Sequence, residues 1–285
     1  MTVHARCVWI ALLALSASAT AQVSVTSDAA LNSQYQWRGI TTTNRPVLQP
    51  DVIVAFPLRK VTVTSGVWAS LEGGRYDNAE RDISENGGEH AGLAEYDLFV
   101  EAGVPAKRAA LTFGATTYSF PNTLGTTSAA NTLEVYAKAA FDAPFAPSLA
   151  VWHDVRKVRG VYAEVGVSHE LGRFKVGALS GWNLGQSVGD GDALGYFAKR
   201  GFTHADFSAG TSFGVGLVSV APALHVVLGN DHNTHAATPT RHSTSKIWVG
   251  STLTWSRVFG RRVSNGAGAG AAAAAAATQH ESASK

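Results

Sequence analysis

The chain has 285 residues, of which 15% are charged, and its 23 Lys and Arg against 21 Asp and Glu leave a formal net charge of only +2. Because basic and acidic residues are nearly equal in number, the net charge does not favour nucleic-acid binding. Soluble domains carry about 25% charged residues, and the low charge here comes with 29 glycines and seven tryptophans. That combination fits a transmembrane β-barrel, although some soluble β-sandwiches share it.

The first 21 residues have the pattern of a secretory signal peptide. The segment begins with His4 and Arg6, continues with an apolar run from Cys7 to Leu15, and ends in small residues up to Ala21. We predict cleavage after Ala21 and export of the rest of the chain. The apolar run is too short for a membrane-spanning helix, which needs about 20 residues. The only cysteine lies in this segment, so the mature chain would contain no disulfide.

Apolar and polar residues alternate along most of the remaining chain, which is the period of a β-strand. In TLEVYAKAAF, for example, Leu133 and Val135 share one face, and Glu134 and Lys138 share the other. Most of these runs have about 9 to 13 residues, enough for a tilted strand to cross a membrane, whereas strands of soluble sheets average about 5 or 6. We predict about twelve strands. They cover residues 23–38, 47–57, 60–72, 93–104, 108–120, 131–142, 148–155, 160–171, 174–184, 203–213, 217–228 and 246–258.

The predicted connections alternate along the chain between tight turns and polar segments that are mostly long. Outer-membrane barrels have short periplasmic turns and longer outer loops, whereas a sandwich has no reason to keep this alternation in phase. The pattern predicts an all-β fold, a transmembrane antiparallel up-and-down β-barrel over residues 22–260. The tight turns are 57–60, 105–108, 142–147, 171–174 and 214–216, and the polar segments are 39–45, 72–92, 121–131, the short 155–159, 184–201 and 230–245.

Two features do not follow this pattern. Pro222 lies inside the eleventh predicted strand, and since a closed barrel has no edge strand, we expect a bulge or a shifted strand boundary there. Residues 261–285 form a low-complexity tail rich in Ala and Gly, which we expect to be disordered, with a short helix in the alanine run as the alternative.

Several motifs together resemble a known family. YQWRGI at residues 35–40 is followed by Arg45-Pro46 and Gln49-Pro50, and later segments read LAEYDLFVEAG, TYSFPN, LEVYAKAAF and VYAEVGVSHELG. Over residues 22 to 258 the chain resembles the TorF family of porins, also called Gcw_chp. The resemblance implies a single-domain barrel in the outer membrane of a Gram-negative bacterium, without an assigned enzymatic activity. Members of that family usually end with the last strand, whereas this chain continues beyond residue 259.

In such a barrel, the alternation assigns each residue of the YQWRGI motif to a face. We expect Tyr35 and Trp37 to face lipid in an aromatic girdle, to which Trp255 also belongs. Gln36 and Arg38 would then point into the lumen. We predict that Arg38 forms an internal ion-pair network with Glu95 or Glu134, because a lumenal guanidinium needs carboxylates or water; the alternative is a solvated charge at the rim.

The same alternation places a set of charged side chains in the lumen. The predicted pore-lining residues are Arg38, Asp51, Glu95, Asp97, Glu101, Glu134, Lys138, Glu164, Lys175 and Asp206, with Gln49 and His204 beside them. Because carboxylates outnumber cations, an open pore would favour cations. In the alternative, the charges pair and fill a narrow barrel, since about twelve strands lies between filled 8-stranded and open 16-stranded barrels.

Other kinds of site find little support in the sequence. The histidines between residues 232 and 242 are scattered in a polar segment and lack the spacing of a metal site. The His-Asp pair at 153–154 and the His-Glu pair at 169–170 lie in strands, so the two side chains of each pair point to opposite faces. No G-x-S-x-G motif and no glycine-rich phosphate loop occurs. We therefore expect no enzymatic activity, no cofactor and no metal.

The sequence thus predicts a narrow, mildly cation-preferring outer-membrane channel for passive diffusion of ions or small polar solutes. Its expected partners are outer-membrane lipid and lipopolysaccharide, the barrel-assembly machinery and the solutes themselves. Two alternatives remain: a non-conducting barrel whose outer loops bind a partner or ligand, and a soluble periplasmic β-protein that binds an apolar molecule inside.

Overall fold

The computed structural model describes residues 22–74, 82–84, 92–121, 131–186, 196–234 and 245–260. The predicted signal peptide, the predicted tail and the histidines at positions 235 and 242 lie outside these residues, so the predictions made for them stay predictions.

The described part of the chain is almost entirely β-strand. Its strands are β1 (Val23–Asn32), β2 (Tyr35–Trp37), β3 (Ile40–Thr43), β4 (Val47–Leu58), β5 (Val61–Glu72), β6 (Gly92–Ala106), β7 (Ala109–Ser119), β8 (Thr132–Phe141), β9 (Ser148–Asp154), β10 (Val161–Leu171), β11 (Phe174–Asn183), β12 (Gly201–Thr211), β13 (Phe213–Val215), β14 (Val218–Gly229) and β15 (Lys246–Phe259). A single turn of helix, α1 (Asp231–Thr234), follows β14. Within the described ranges, no helix has the length and apolar character needed to cross a membrane.

Twelve strands form a closed antiparallel barrel. Their order around the barrel is β1, β4, β5, β6, β7, β8, β9, β10, β11, β12, β14 and β15, and the first and last close it by pairing from Val23↔Phe259 to Asn32↔Gly250. Apart from the small strands β2, β3 and β13, each strand pairs with the next along the chain, so the barrel is of the predicted up-and-down type.

The connections also alternate as predicted. Those at one end, the turn end, are 59–60, 107–108, 142–147, 172–173 and 216–217, and both chain ends of the barrel lie there. Those at the other end, the loop end, are 33–46, 73–91, 120–131, 155–160, 184–200 and 230–245.

The first predicted strand is wrong beyond Asn32. Residues 35–43 instead form the inner hairpin, in which β2 pairs with β3 as a separate two-stranded sheet. Its turn is Arg38-Gly39, with φ angles of 52° and 81°, and two successive positive φ angles are what a type I′ hairpin turn requires. A Cβ on Gly39 would lie 2.7 Å from the Cβ of His204, so the hairpin tip also needs glycine for close contact with the barrel wall.

The barrel wall has an apolar outer face and a polar and aromatic inner face. On β8, Val135 is 42% exposed whereas Glu134 is fully buried, and on β6, Leu98 is 52% exposed whereas Glu101 is 6% exposed. The main hydrophobic cluster lies inside the barrel, where aromatic side chains of the wall meet the inner hairpin. It consists of Tyr35, Trp37, Val47, Trp68, Tyr136, Trp152, Tyr162 and Phe197.

At Pro222 the structure has an interrupted ladder and no bulge. Pro222 pairs in regular register with Ser251 of β15. On the other side, β12 pairs with β14 as far as Gly210↔Ala223, and β13 resumes at Phe213↔Val220 without a change of register. Because proline has no N–H to donate, pairing stops at this point and divides the tenth predicted strand into β12 and β13.

Candidate functional site

Near the loop end, an ion pair inside the lumen joins the inner hairpin to the barrel wall. At the hairpin tip, Arg38 Nη1 donates to Glu134 Oε1 at 2.8 Å and Nη2 donates to Oε2 at 2.6 Å. The two side chains are 2% and 0% exposed. This fork-to-fork geometry is the strong, oriented form of the arginine–carboxylate bond. The predicted ion pair with Glu134 is confirmed, and the alternative of a solvated rim charge is wrong.

Two neutral side chains add hydrogen bonds to this pair. Gln186 Oε1 accepts from Arg38 Nη1 at 3.0 Å, and Gln186 Nε2 donates to Glu134 Oε1 at 2.6 Å. The Tyr118 hydroxyl donates to Glu134 Oε2 at 2.9 Å. Sequence reasoning missed Gln186, because it lies in a polar connection where no alternation marks it as buried.

Aromatic rings enclose the guanidinium. The Arg38 Cζ atom lies 4.4 Å, 4.9 Å and 4.5 Å from the ring centroids of Trp37, Trp152 and Tyr162, within the range of cation–π attraction. Phe197, from the connection between β11 and β12, stacks on Tyr162 with centroids 5.5 Å apart. The inner hairpin and Phe197 therefore pack together inside the barrel at this level.

The predicted lipid-facing girdle at Tyr35 and Trp37 is wrong. Both side chains are buried, at 3% and 8% exposure, and they contact Trp68 and Tyr118 of the inner wall. Because the hairpin is surrounded by the barrel, side chains of both parities are buried, and the period of two no longer separates an inner from an outer face. Trp255 lies on the outer face, beside the exposed Leu253 in the alternation of β15.

Next to the hairpin, Tyr196 packs its ring on Trp37 with centroids 4.7 Å apart. Burial, reinforced by the Glu134 carboxylate, raises the pKa of the Tyr196 hydroxyl well above its usual value, so this side chain adds no charge to the lumen.

A second short contact at the loop end holds the base of the hairpin. Arg45 Nη2 lies 2.9 Å from Asp82 Oδ1, and the backbone N–H of Ile83 donates to Asn44 Oδ1 at 2.9 Å. Ser84 donates to Glu72 at 2.6 Å. Residues 82–84 thus connect the return of the hairpin to the end of β5.

Most of the other predicted pore-lining residues lie on the inner wall. Glu95, Asp97, Glu101 and Glu164 are buried, and Asp51 and Lys138 are half-buried. Glu101 accepts a hydrogen bond from the Tyr136 hydroxyl at 2.9 Å.

Towards the turn end, the inner wall encloses a small space. Lys138 lies with its ammonium 4.6 Å from the ring centroid of Tyr136. Lys138 and Glu164, together with Trp152 and Ser148, line a cavity of about 50 Å³, which is room for a few water molecules.

Asp206 is paired with a residue that the sequence analysis did not select. Asp206 Oδ2 lies 2.9 Å from His225 Nδ1, and the His225 ring stacks on Trp248 with centroids 3.9 Å apart. Lys175, in contrast, is exposed next to the turn at 172–173, so it lies at the rim and is not part of the buried lumen. Over the residues that the structure covers, no group of three or more His, Cys, Asp or Glu could hold a metal ion.

Comparison with known proteins gives distant similarity in structure alone. No family model matches the chain, and no curated protein matches it. The chain is similar to the COG4313 outer membrane channel from Pseudomonas putida F1, with a TM-score of 0.48 and 11% identity over 85% of this chain and 96% of that one. It is also similar to the KdgM porin (TM-score 0.42, 8% identity, 81% and 98% covered) and to outer membrane phospholipase A from Escherichia coli (TM-score 0.40, 10% identity, 81% and 89% covered). The resemblance to the TorF family stays a prediction.

Proposed function

We propose that this protein is an outer-membrane channel for passive diffusion of small cations and small polar solutes, with its loop end narrowed by the inner hairpin. The proposal rests on the difference between the outer and inner faces of the barrel wall. Apolar side chains such as Leu98 and Val165 are about half exposed on the outside, where only a hydrocarbon solvent would suit them, while ionisable side chains face the lumen. A soluble β-protein with an apolar interior would have the opposite arrangement.

We expect a cation preference because of the residue types on the inner wall. Glu134 neutralises Arg38, and Lys175 lies at the rim. The inner wall formed by β4 and β6 then contributes carboxylates only, at Asp51, Glu95, Asp97 and Glu101. Rings or rows of Asp and Glu attract cations and repel anions in channels.

The narrowness follows from what fills the barrel. The hairpin, Phe197 and the aromatic rings around Arg38 lie inside the barrel at its loop end. We therefore expect a small conductance, and we expect the position of the hairpin to determine its size.

The test is single-channel recording in a planar bilayer with the chain from Gln22, refolded in detergent, under a salt gradient. We expect discrete steps with a reversal potential of the cation-selective sign. The variant Asp97→Asn/Glu101→Gln should move the reversal potential towards zero, and Asp142→Asn, which removes an exposed carboxylate in a turn, serves as the matched control. Replacing residues 35–43 by a short Gly-Ser linker should increase the step size.

A second candidate is the non-conducting barrel, which the fully buried pair Arg38–Glu134 and its aromatic enclosure favour. A folded, inserted protein that passes no current, with or without residues 35–43, would support this second function over the channel. Heat-dependent electrophoretic mobility, which separates folded from unfolded barrels, checks folding in each variant.

A further inference from the structure

Five cationic side chains are gathered on one sector of the loop end. Arg156, Lys157 and Arg159 come from the connection between β9 and β10, and Lys199 and Arg200 come from the connection between β11 and β12. All five are exposed, but Lys199 Nζ is hydrogen-bonded to His232 Nε2, so the proposal below concerns the other four. Among the residues that the structure describes, the ion pairs are those of Arg38, Arg45 and His225, so none of the five cations is neutralised by a described carboxylate.

The first of these connections has a fixed backbone. Asp154 Oδ1 accepts the backbone N–H groups of residues 156, 157, 158 and 159 at 2.9, 3.0, 3.1 and 3.2 Å, and its Oδ2 accepts from the Thr132 hydroxyl at 2.7 Å. The carboxylate that could have balanced the cations is itself buried and turned inwards. The three basic side chains are therefore exposed on a hydrogen-bonded turn, and Arg159 Nε also donates to the Arg156 carbonyl oxygen at 3.4 Å.

The second connection lies directly against the first. Gly160 packs so closely on Gly185 that a Cβ on Gly160 would lie 2.3 Å from the Gly185 carbonyl carbon, and an Arg200 Nη2 atom lies 3.8 Å from where a Cβ of Gly185 would be. Asn183 Nδ2 donates to the Lys199 carbonyl oxygen at 2.8 Å and holds the chain in place. Arg200 is thus brought to the side of the barrel that carries Arg159.

Below these cations, the outer wall is apolar and aromatic. Trp182, at the end of β11, is 43% exposed, and Val155 and Leu184, which directly follow β9 and β11, are 42% and 49% exposed. Phe202 packs edge-on against Trp182 with centroids 5.7 Å apart. Aromatic rings of this kind are typical of the level where lipid headgroups meet acyl chains.

We propose that this sector, formed by Arg156, Lys157, Arg159 and Arg200 above Trp182, Leu184 and Phe202, binds a phosphorylated, acylated lipid of the surrounding leaflet. The phosphate groups contact the cations, for which Arg and Lys are the usual partners, and the acyl chains lie along the apolar wall. A soluble anion would need only the cations, so the adjoining aromatic and aliphatic strip is what favours a lipid. The inference rests on the membrane location in the proposed function but not on conduction.

The experiment is native mass spectrometry of the refolded chain in detergent with added lipid A, either phosphorylated or enzymatically dephosphorylated. The test variant is Arg156→Gln/Lys157→Gln/Arg159→Gln/Arg200→Gln. The matched control is Arg59→Gln/Lys60→Gln/Lys107→Gln/Arg108→Gln, which removes four exposed cations at the turn end, and Arg59, like Arg159, has a positive φ. Heat-dependent electrophoretic mobility confirms that each variant is folded.

We expect the unmodified chain and the control to bind the phosphorylated lipid alike and the test variant to lose about tenfold or more in affinity, since each basic side chain near an anionic lipid surface contributes to binding. Dephosphorylated lipid should bind weakly to all three. Equal binding of the phosphorylated lipid by the test variant and the control, or equal binding of the two lipids, would overturn the proposal. The proposal would also be overturned if the test variant lost affinity for a soluble sulfated polysaccharide but kept its affinity for the phosphorylated lipid. Bilayer recordings on the same samples report on the channel separately, so either proposal can fail alone.

Discussion

The Arg38–Glu134 pair leads to a sharp prediction about stability. Glu134→Gln keeps the shape of the side chain and removes its charge, which leaves the buried guanidinium of Arg38 without a carboxylate partner. Glu134 receives hydrogen bonds from Arg38, Gln186 and Tyr118, and both members of the ion pair are at most 2% exposed. Breaking one side of a buried ion pair typically costs about 3–5 kcal/mol, and we expect the free energy of unfolding to fall by that order.

Two further variants separate the ion pair from general loss of packing. Glu101→Gln is the control, because Glu101 is buried on the same inner wall and is hydrogen-bonded to the neutral Tyr136 hydroxyl. This variant should lower the free energy of unfolding by roughly 1 kcal/mol, as expected for the loss of an ordinary hydrogen bond. The double variant Arg38→Met/Glu134→Gln removes both charges and should recover much of the stability, because a neutral replacement leaves no unpaired buried charge.

The assay is denaturant unfolding of the refolded barrel in detergent or lipid, followed by tryptophan fluorescence. Trp37 and Trp152 lie against the guanidinium, so release of the inner hairpin would also change the emission of the folded state. If Glu134→Gln were no more destabilising than Glu101→Gln, or if the double variant were less stable than Glu134→Gln, the assignment of this pair as the anchor of the hairpin would be refuted.

Two other substitutions test the turns. Gly39→Ala should destabilise the barrel by roughly 1–3 kcal/mol, because residue 39 has a φ of 81° and a Cβ there would meet His204; Gly214→Ala, which has open space around it, should leave the unfolding midpoint nearly unchanged. Asp154→Ala should cost roughly 1–3 kcal/mol and speed hydrogen exchange of the four amides that donate to this carboxylate. Asp154→Asn keeps one acceptor oxygen, so the four amides should exchange more slowly in this variant than in Asp154→Ala. If they exchange equally fast in both variants, the Asp154 side chain does not hold this turn.

Hydrophobic alternation was enough to predict the strands of the wall and the direction of most of their side chains. Glu134 and Glu101 were assigned to the lumen because each lies between apolar neighbours that face outwards. The apolar positions face lipid, and the polar positions between them face the lumen. The alternating lengths of the connections also indicated a barrel, since every second crossing must return to the same side. These signals are local, so a single sequence contains them.

The inner hairpin and the partners of its charges were decided by the tertiary structure. Tyr35 and Trp37 have the alternation of a wall strand, but the chain reverses at Ser33 and again at the Arg38-Gly39 turn, and the hairpin then lies inside the barrel with both faces buried. Gln186 approaches Glu134 from the connection between β11 and β12, and His225 of β14 meets Asp206 across the pairing of β14 with β12. Sequence determines which face of a wall strand is polar because that choice depends on neighbours two residues apart. Which polar groups meet in the lumen depends on closing the barrel, and no local pattern encodes that contact.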